Sequence, residues 1–390
     1  MKKTIPLSVP NFAGNELKYV TDAIKDEWVS TGGEYVNEFE KKISDYLKVR
    51  TAVACQNGTS GLHLSLKVAG VKEEHEVIVP TVTFIAAVNP VKYLNAEPIF
   101  MDCDKSLNMD LNKLQEFINQ KCIFKNEKLI NKKSNKHIKA IIVVHIFGNL
   151  INMEKVMEIG NRYNLKVIED ATEALGSYYK KGKYKEKFAG TIGDFGVYSF
   201  NGNKIITTGG GGMIVANNEK DLKRIKYLST QAKDDKLYYQ HDEIGYNYRM
   251  TNIQAALGVA QLENLEKFID IKKTNYLLFE KELSKIEGLN LLKFNNDIRP
   301  NYWFYSVLVD PEKLGLDRNK LIKELGKKNI QTRPLWSLIH NQKPYKECQS
   351  YKVFKAEIYE KNIINIPCST KLDFDDVNYI IKKFKNLNKK

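Results

Sequence analysis

The stretch Ala-Ile-Ile-Val-Val-His at residues 140–145 predicts a β-strand that is buried on both of its faces. Further strand-like apolar runs lie at 76–80, 98–102 and 166–170, and a helical pattern occupies residues 153–163. Continuous apolar strands that alternate with helices are typical of a mostly parallel sheet. The sequence therefore predicts an α/β fold in which helices cover both faces of a mostly parallel central sheet.

Polar residues with useful chemistry follow several of these predicted strands. Residues 57–60 (Asn-Gly-Thr-Ser) follow a short apolar strand, and Asp170 is the last residue of another. Ser199 and Lys204 lie at and just after a strand predicted at 196–200. Because ligands of such sheets bind at the carboxyl ends of the strands, we expect these side chains to line one site.

The chain is predicted to form two domains. A long helical pattern begins near Asn252, and the residues after it mix helices with short strands, such as one at 303–309. We therefore expect a large domain over residues 1–255 and a smaller C-terminal α/β domain over residues 256–390, with the N-terminal segment available to pack against the smaller one. The lysine-rich segment 110–139 is predicted to be a helix followed by a loop insertion.

Composition excludes several classes of protein. The chain has 390 residues, of which 43% are hydrophobic and 28% charged, as in soluble globular proteins. It contains no run of about 18 apolar residues, and its N-terminus has no apolar core of signal-peptide length, so we expect no membrane partner and no export. Five scattered cysteines without a CxxC pair are typical of reduced thiols, which indicates the cytoplasm.

The formal net charge of +14 permits two interpretations. Lysines spread along the whole chain favour a solvated surface, which can also attract a phosphate-bearing substrate. A nucleic-acid partner is not expected, because no nucleic-acid-binding motif accompanies the charge. The six histidines show no metal-ligand spacing, so we expect no metal site.

Lys204 and Asp170 suggest the chemistry of pyridoxal 5′-phosphate (PLP). Lys204 ends the sequence Ser-Phe-Asn-Gly-Asn-Lys, and four glycines follow at 209–212. A lysine with small and polar neighbours can form a Schiff base with a bulky aldehyde, although a surface lysine is the alternative. Asp170 can hold a protonated ring nitrogen, which makes the ring an electron sink, or it can cap the next helix.

Two further features suit a phosphate and a flat ring. Residues 57–60 precede a predicted helix, whose first backbone N–H groups favour an anion, although an ordinary helix cap has the same sequence. The glycines at 209–212 are not a P-loop, because no Gly-Lys-Ser/Thr follows them. Phe84 can stack on a ring or pack in the core.

These motifs follow one another in an order that resembles the DegT/StrS-type sugar-nucleotide aminotransferases, which are PLP enzymes of fold type I. The resemblance extends over essentially the whole chain. The segments that carry it are residues 5–8, 28–33, 57–60, 83–86, 169–171, 199–204 and 245–249. It implies a PLP-dependent transaminase of that fold.

The resemblance implies a role for each residue around the cofactor ring. Lys204 is the Schiff-base lysine that also moves the proton, and Asp170 is the partner of the pyridinium nitrogen. Phe84 stacks on the ring. Glu173 contacts the ring hydroxyl, at a position where many members carry Gln or His.

The resemblance also implies how the cofactor phosphate is held. Thr59, Ser60 and Ser199 bind it within one subunit. Asn247 reaches it from a neighbouring subunit, which implies a homodimer with shared active sites.

The substrate implied by the resemblance is a nucleotide-linked sugar, with glutamate as the amino donor. Glu173 and the Asn-Gly-Asn before Lys204 resemble the subgroup that acts on 4-keto-6-deoxy-N-acetylhexosamines in bacillosamine and legionaminic acid biosynthesis. A perosamine-type or other 4-keto sugar and either UDP or GDP stay open, and a PLP-dependent sugar dehydratase is disfavoured because such enzymes carry histidine in place of Lys204. The residues expected to contact the substrate are Trp28, Val29, Ser30, Thr31, Arg333, Pro334, Leu335, Trp336 and His340.

Overall fold

The computed structural model describes residues 4–235 and 237–387. Its α-helices alternate with strands over the first two thirds of the chain. The α-helices are α1 (Glu16–Lys25), α2 (Glu34–Leu47), α3 (Gly58–Val68), α4 (Asn89–Tyr93), α5 (Leu111–Lys121), α6 (Met153–Arg162), α7 (Glu219–Ser229), α8 (Asn252–Leu262), α9 (Leu265–Leu283), α10 (Pro311–Leu314), α11 (Arg318–Gly326), α12 (Lys355–Asn362) and α13 (Phe374–Lys385).

The strands are short, as is usual for sheets with helical cover. They are β1 (Val53–Cys55), β2 (His75–Pro80), β3 (Glu97–Met101), β4 (Cys122–Lys125), β5 (Lys128–Asn131), β6 (His137–Val144), β7 (Lys166–Asp170), β8 (Tyr178–Tyr179), β9 (Phe195–Ser199), β10 (Gly212–Ala216), β11 (Leu289–Leu291), β12 (Ile298–Arg299), β13 (Tyr305–Val309), β14 (Arg333–Pro334), β15 (Ser350–Tyr351) and β16 (Ile363–Ile366).

The large sheet has the strand order β1-β10-β9-β7-β6-β2-β3-β15. The six strands from β9 to β15 in this order pair in parallel, and β10 runs antiparallel to both of its neighbours, β9 and β1. The predicted α/β fold with a mostly parallel central sheet is therefore confirmed.

Alternate residues of the central strands belong to two separate cores. On β6, Ile141 and Val143 pack with residues of α2, α5 and α6. Their neighbours Ala140, Ile142 and Val144 pack with residues of α3, α4 and α7. Because successive side chains of a strand point to opposite faces, this division shows that helices cover both sides of the sheet.

The segment 110–139 corrects one prediction. Its helix is present as α5, but the residues expected to form a loop fold into the hairpin β4–β5, which joins the large sheet through β6. The two turn residues, Asn126 and Glu127, have φ of 51° and 56°, the left-handed conformation that a tight hairpin turn requires. Leu129 is buried, whereas the lysines near it in the sequence are exposed. The high lysine content of the segment therefore led to the prediction of a loop where an amphipathic strand forms.

A second sheet, β11-β13-β16-β14, is antiparallel and comes entirely from the C-terminal part of the chain. The N-terminal segment attaches to this part: Ile5 bridges to Ile330, and the Leu7 carbonyl accepts a hydrogen bond from the Cys368 N–H at 2.8 Å. The two-domain division at 255/256 stays a prediction, since β15 crosses back into the large sheet.

Several element boundaries differ from the sequence predictions. The pattern that begins at Asn252 is not one helix but two, because α8 ends at Leu262 and α9 begins at Leu265. The strand predicted to begin at Trp303 begins at Tyr305, which leaves Trp303 in the connecting segment. Among the described helices, none has both the length and the apolar character needed to cross a bilayer.

Candidate active site

A cavity of about 560 Å³ lies at the carboxyl ends of β1, β7 and β9. Residues after these strands form its floor, and β14 and β16 of the second sheet contribute to its wall. It brings together ten of the residues predicted for the site, namely Thr59, Phe84, Asp170, Glu173, Ser199, Lys204, Arg333, Pro334, Leu335 and Trp336.

Lys204 follows β9 in a turn in which its backbone N–H donates to the Asn201 carbonyl at 3.0 Å. Burial lowers the pKa of its side chain, and the carboxyl groups of Glu173 and Asp170 oppose this shift. The amine is therefore more easily deprotonated than a surface lysine. A neutral amine in a cavity can act as a nucleophile toward an aldehyde and as a base.

Asp170 is the last residue of β7, and its side chain is buried. The Oδ1 atom accepts a hydrogen bond from the Thr172 N–H at 3.0 Å. Burial raises the pKa of Asp170, while Thr172, Lys204 and His145 act in the opposite direction. A buried carboxyl group that lines a cavity can form an ion pair with a cationic ring nitrogen.

Glu173 places a second buried carboxyl group in the cavity. Its Oε2 atom accepts a hydrogen bond from the backbone N–H of Phe147 at 2.7 Å. Burial raises the pKa of Glu173 to about 7, against the opposing effect of Lys204. Near neutral pH this carboxyl group can therefore either donate or accept a proton.

The N-terminus of α3 faces the cavity through Asn57, Gly58 and Thr59. A Cβ atom at Gly58 would lie only 2.9 Å from the Thr172 methyl carbon and 3.1 Å from the Ser199 Cβ. Only glycine allows so close an approach, and backbone N–H groups at such a helix start attract an anion.

Ser60 forms local hydrogen bonds at the start of α3, and its role at the phosphate stays a prediction. Its backbone N–H donates to the Asn57 Oδ1 atom at 2.8 Å, and its hydroxyl oxygen accepts a hydrogen bond from the Asn57 backbone N–H at 3.2 Å. These bonds form a capping box that closes the first turn of α3. The hydroxyl of Ser60 also donates to the Asn57 carbonyl at 2.8 Å, whereas Thr59 and Ser199 line the cavity directly.

Phe84 is 54% exposed, although it is a large aromatic residue. Its ring centre lies 6.0 Å from that of Trp336, on the opposite wall of the cavity. The core-packing alternative for Phe84 is therefore wrong. An amine, two carboxyl groups, a helix N-terminus and an open aromatic face are the groups that PLP requires, so these residues fit that cofactor.

Arg333 and Asn365 form the cavity wall at the second sheet. They are opposite each other in the antiparallel pair β14–β16. Asn365 is 1% exposed, and its Oδ1 atom accepts a hydrogen bond from the Ser306 hydroxyl at 2.6 Å. The guanidinium of Arg333 is exposed at the mouth and donates to the Thr332 carbonyl at 2.9 Å.

Several predicted residues lie outside the cavity of this single chain. Trp28, Val29, Ser30 and Thr31 form an exposed loop between α1 and α2, tied to the start of α8 by two hydrogen bonds from Asn252.

Asn247 is likewise exposed, in a backbone bridge with Thr230. His340 also lies outside the cavity. Its ring hydrogen-bonds to the Thr81 hydroxyl at 2.6 Å. The predictions for these residues therefore depend on a second subunit or on more distant contacts.

Sequence reasoning missed cavity residues that come from distant parts of the chain. Among them are Thr172, Asn203, Trp303 and Asn365. The aromatic run at 302–305 was the available signal for Trp303, but its pattern also fits a strand.

Comparison with known proteins agrees with this geometry. The family model for the DegT/DnrJ/EryC1/StrS aminotransferases matches residues 10–385. GDP-perosamine synthase from Escherichia coli O157:H7 is 38% identical over 380 residues, which cover 97% of each chain. UDP-4-amino-4,6-dideoxy-N-acetyl-beta-L-altrosamine transaminase from Campylobacter jejuni (strain 81-176) is 30% identical and covers 96% of this chain and 95% of its own.

Among solved structures, the PLP form of the putative sugar aminotransferase Spr1654 from Streptococcus pneumoniae shares this fold. The TM-score is 0.87 at 24% identity, and the match covers 99% of both chains. The chain therefore belongs to the DegT/DnrJ/EryC1/StrS aminotransferase family, and it is a PLP-dependent sugar aminotransferase.

Proposed function

We propose that this protein transfers the amino group of glutamate to the C4 keto group of a nucleotide-linked 4-keto-6-deoxyhexose in the cytoplasm. The observation that carries the proposal is the meeting of Lys204, Asp170 and Glu173 in one cavity that opens toward Arg333. An N-acetylhexosamine is the first candidate substrate, and the likeness to the Campylobacter transaminase supports it. A perosamine-type sugar is the second, supported by 38% identity to GDP-perosamine synthase.

Three residues would hold the reactive end of PLP and control the proton transfers at its ring and at the substrate carbon. PLP, when bound, supplies an electron sink for the charge that develops at the carbon losing a proton. Lys204 would attach the cofactor, and its amine, whose pKa burial lowers, would serve as the base for that proton once it is released. Asp170 would keep the pyridine nitrogen protonated. The carboxyl group of Glu173 would share a proton with the ring hydroxyl through a hydrogen bond.

The nucleotide end of the substrate would lie toward the second sheet. Arg333 offers an exposed guanidinium at the cavity mouth, and this group pairs with diphosphate oxygens in a bidentate way. The formal net charge of +14 favours the approach of such an anion. Trp336 and Leu335 supply an apolar wall beside it.

The proposal includes a homodimer with shared sites. Trp28 is 61% exposed, and Asn247 is also exposed, although both belong to segments that resemble site segments of the family. A large aromatic side chain on an open loop is typical of a surface that another chain covers. In the dimer, the loop at residues 28–31 and Asn247 would complete the site of the neighbouring subunit.

Direct assay of the product tests this function. The protein would be incubated with glutamate labelled with ¹⁵N and with UDP- or GDP-linked 4-keto-6-deoxy sugars, with and without the N-acetyl group, and the products read by mass spectrometry. A labelled amino sugar is the expected product. A deoxygenated sugar without nitrogen would instead show a dehydratase.

The Lys204→Ala variant is the matched control. It is expected to lose both turnover and the cofactor attachment that borohydride makes permanent, because both depend on the same amine. Full activity in this variant would refute the role assigned to Lys204 without excluding a transaminase.

A further inference from the structure

The indole ring of Trp303 lies beside the amine of Lys204. The Lys204 Nζ atom is 4.2 Å from the centre of the ring, within the range of a cation–π interaction. Trp303 lines the same cavity as Asp170 and Glu173. It comes from the segment before β13, about one hundred residues from Lys204 in the sequence, so the fold alone creates this contact.

Contacts on several sides fix the position of this ring. The indole N–H donates to the Asn203 carbonyl at 2.7 Å, and the backbone N–H donates to the Asn301 Oδ1 atom at 3.0 Å. The Trp303 carbonyl accepts a hydrogen bond from the buried Lys272 amine at 3.1 Å. The ring of Phe304 stacks on the indole at 4.1 Å, with 6° between the planes. Since Asn203 directly precedes Lys204, the indole holds both the backbone and the side chain of this turn.

The charged groups around Lys204 explain why an aromatic partner is useful. Asp170 and Glu173 attract its ammonium form. In the proposed function, however, both carboxyl groups contact the cofactor ring. An indole face binds a cation without donating or accepting a proton, so it can hold the amine without competing with the carboxyl groups.

We propose that Trp303 is a positioning residue whose indole face holds the amine of Lys204 while that amine is free of the cofactor and carries a proton. The inference rests on the role of Lys204 in the proposed function and is independent of the sugar. The ring stabilises the charged amine at one place in the cavity, from which it can deliver its proton and reattach. Without the ring, the charged form of the amine would lose its cation–π contact, and the amine would lose its proton more readily.

The proton affinity of free Lys204 tests this inference. In the pyridoxamine phosphate form of the full-length protein the amino group is on the cofactor, and Lys204 is free. Trace acetylation with acetic anhydride from pH 6 to 11, read by mass spectrometry of the peptide that contains Lys204, gives the midpoint at which its amine becomes reactive. The midpoint is used because improved access alone changes the maximal rate and leaves the midpoint in place.

The Trp303→Leu variant is expected to lower this midpoint by about one pH unit, a tenfold loss of proton affinity. Trp303→Phe keeps a weaker aromatic face, and its midpoint is expected between those of the wild type and Trp303→Leu. The exposed Lys41 in the same digests serves as an internal reference. Trp336→Phe removes part of another indole from the cavity wall, one that is not over Lys204 in the described structure, and should leave the midpoint in place.

An unchanged midpoint in Trp303→Leu would overturn the inference, and so would an equal shift in Trp336→Phe. If Trp303→Leu does not fold, Trp303→Phe decides: a lowered midpoint supports the inference, and the wild-type midpoint overturns it. If borohydride attaches the cofactor to a lysine other than Lys204, the role assigned to Lys204 in the proposed function fails instead. The two failures are therefore distinguishable.

Discussion

Glu173 accepts a hydrogen bond from the backbone N–H of Phe147 at 2.7 Å, and this bond fixes a second carboxyl group beside Asp170. Phe147 adopts the left-handed φ of 55°, which is uncommon for an aromatic residue. The segment that follows β6 is thus bent into a shape that turns a backbone donor toward the cavity. A buried acid results whose protonation responds to pH near neutrality.

Glu173→Gln is expected to stabilise the cofactor-free protein at alkaline pH. The pKa of Glu173 is about 7 in the folded state and about 4.5 in the unfolded chain, so the folded state binds more protons between these values. Stability from this group therefore falls as pH rises through that window. At pH 8 the variant should be more stable by at most about 3 kcal/mol, because the neutral amide still accepts the Phe147 bond.

Urea unfolding at pH 5, 6, 7 and 8 measures this difference. The difference between the two proteins should be smallest at pH 5, grow between pH 5 and 7, and level off between pH 7 and 8. A constant separation at all four values would show that the carboxyl group does not titrate in this range.

Asn365→Leu is expected to raise the KM of one substrate about tenfold with little change in kcat. The Ser306 hydroxyl fixes the Oδ1 atom of Asn365, so the amide nitrogen is the group available to a substrate oxygen on the cavity side. Loss of one such hydrogen bond costs about 1.4 kcal/mol, which corresponds to that factor.

Separate steady-state titrations of glutamate and of the sugar nucleotide show which substrate the amide contacts. Ser306→Ala serves as the matched variant and should give a smaller effect, and the double variant should not exceed Asn365→Leu, since both act through one hydrogen bond. Unchanged KM values for both substrates would contradict the role of Asn365.

The sequence predicted the parts of the site that depend on local pattern. Strand β7 has the predicted bounds, and the alternation of apolar strands with helices placed Asp170 and Lys204 at one edge of the sheet. Burial of an apolar strand is a property of a few adjacent residues, so it can be read without knowledge of the rest of the chain.

The rest of the site depends on contacts between distant segments. Trp303 and Asn365 reach the cavity only because the second sheet packs over the first. Ser60 has the sequence of a phosphate ligand, and its hydroxyl oxygen also completes the capping box of α3 by accepting from the Asn57 N–H. The same four residues at 57–60 fit either use, and only the three-dimensional arrangement distinguishes them.

His137 is expected to limit stability in acid at the opposite end of the sheet. It pairs with His75 at the start of β6 and β2, with ring centres 5.1 Å apart. Burial lowers the pKa of His137 to about 4, and His75, Lys139 and Lys128 add to the effect. The unfolded state therefore binds more protons between pH 6.5 and 4, and stability falls as pH falls through this window.

His137→Gln should make the fall in folding stability between pH 6.5 and 4 smaller by about 1 kcal/mol. This value is less than the pKa shift alone would give, because the ring is partly exposed. Thermal unfolding between pH 4 and 7 measures it, with activity at pH 7.5 as the control, since His137 is remote from the cavity. An identical pH dependence in both proteins would contradict this origin of acid sensitivity.

Mixed dimers test whether Asn247 serves the neighbouring subunit. Asn247→Leu and Lys204→Ala subunits, inactive as separate homodimers, should regain activity when they are mixed. In such a pair the subunit with intact Lys204 receives an intact Asn247 from its partner, so one of the two sites is complete. About one quarter of wild-type activity is expected at equal mixing, because half of the dimers are mixed and each has one working site.

The outcome depends on subunit exchange, which differently tagged subunits and affinity capture make visible. Mixed dimers that form without regaining activity would show that Asn247 acts within its own subunit. That result conflicts with the position of Asn247 in this structure, exposed on the surface and not on the cavity wall. It would require residues 245–249 to move inward in the functional state, and borohydride-reduced protein would show this as increased protection of Tyr246 from chemical modification.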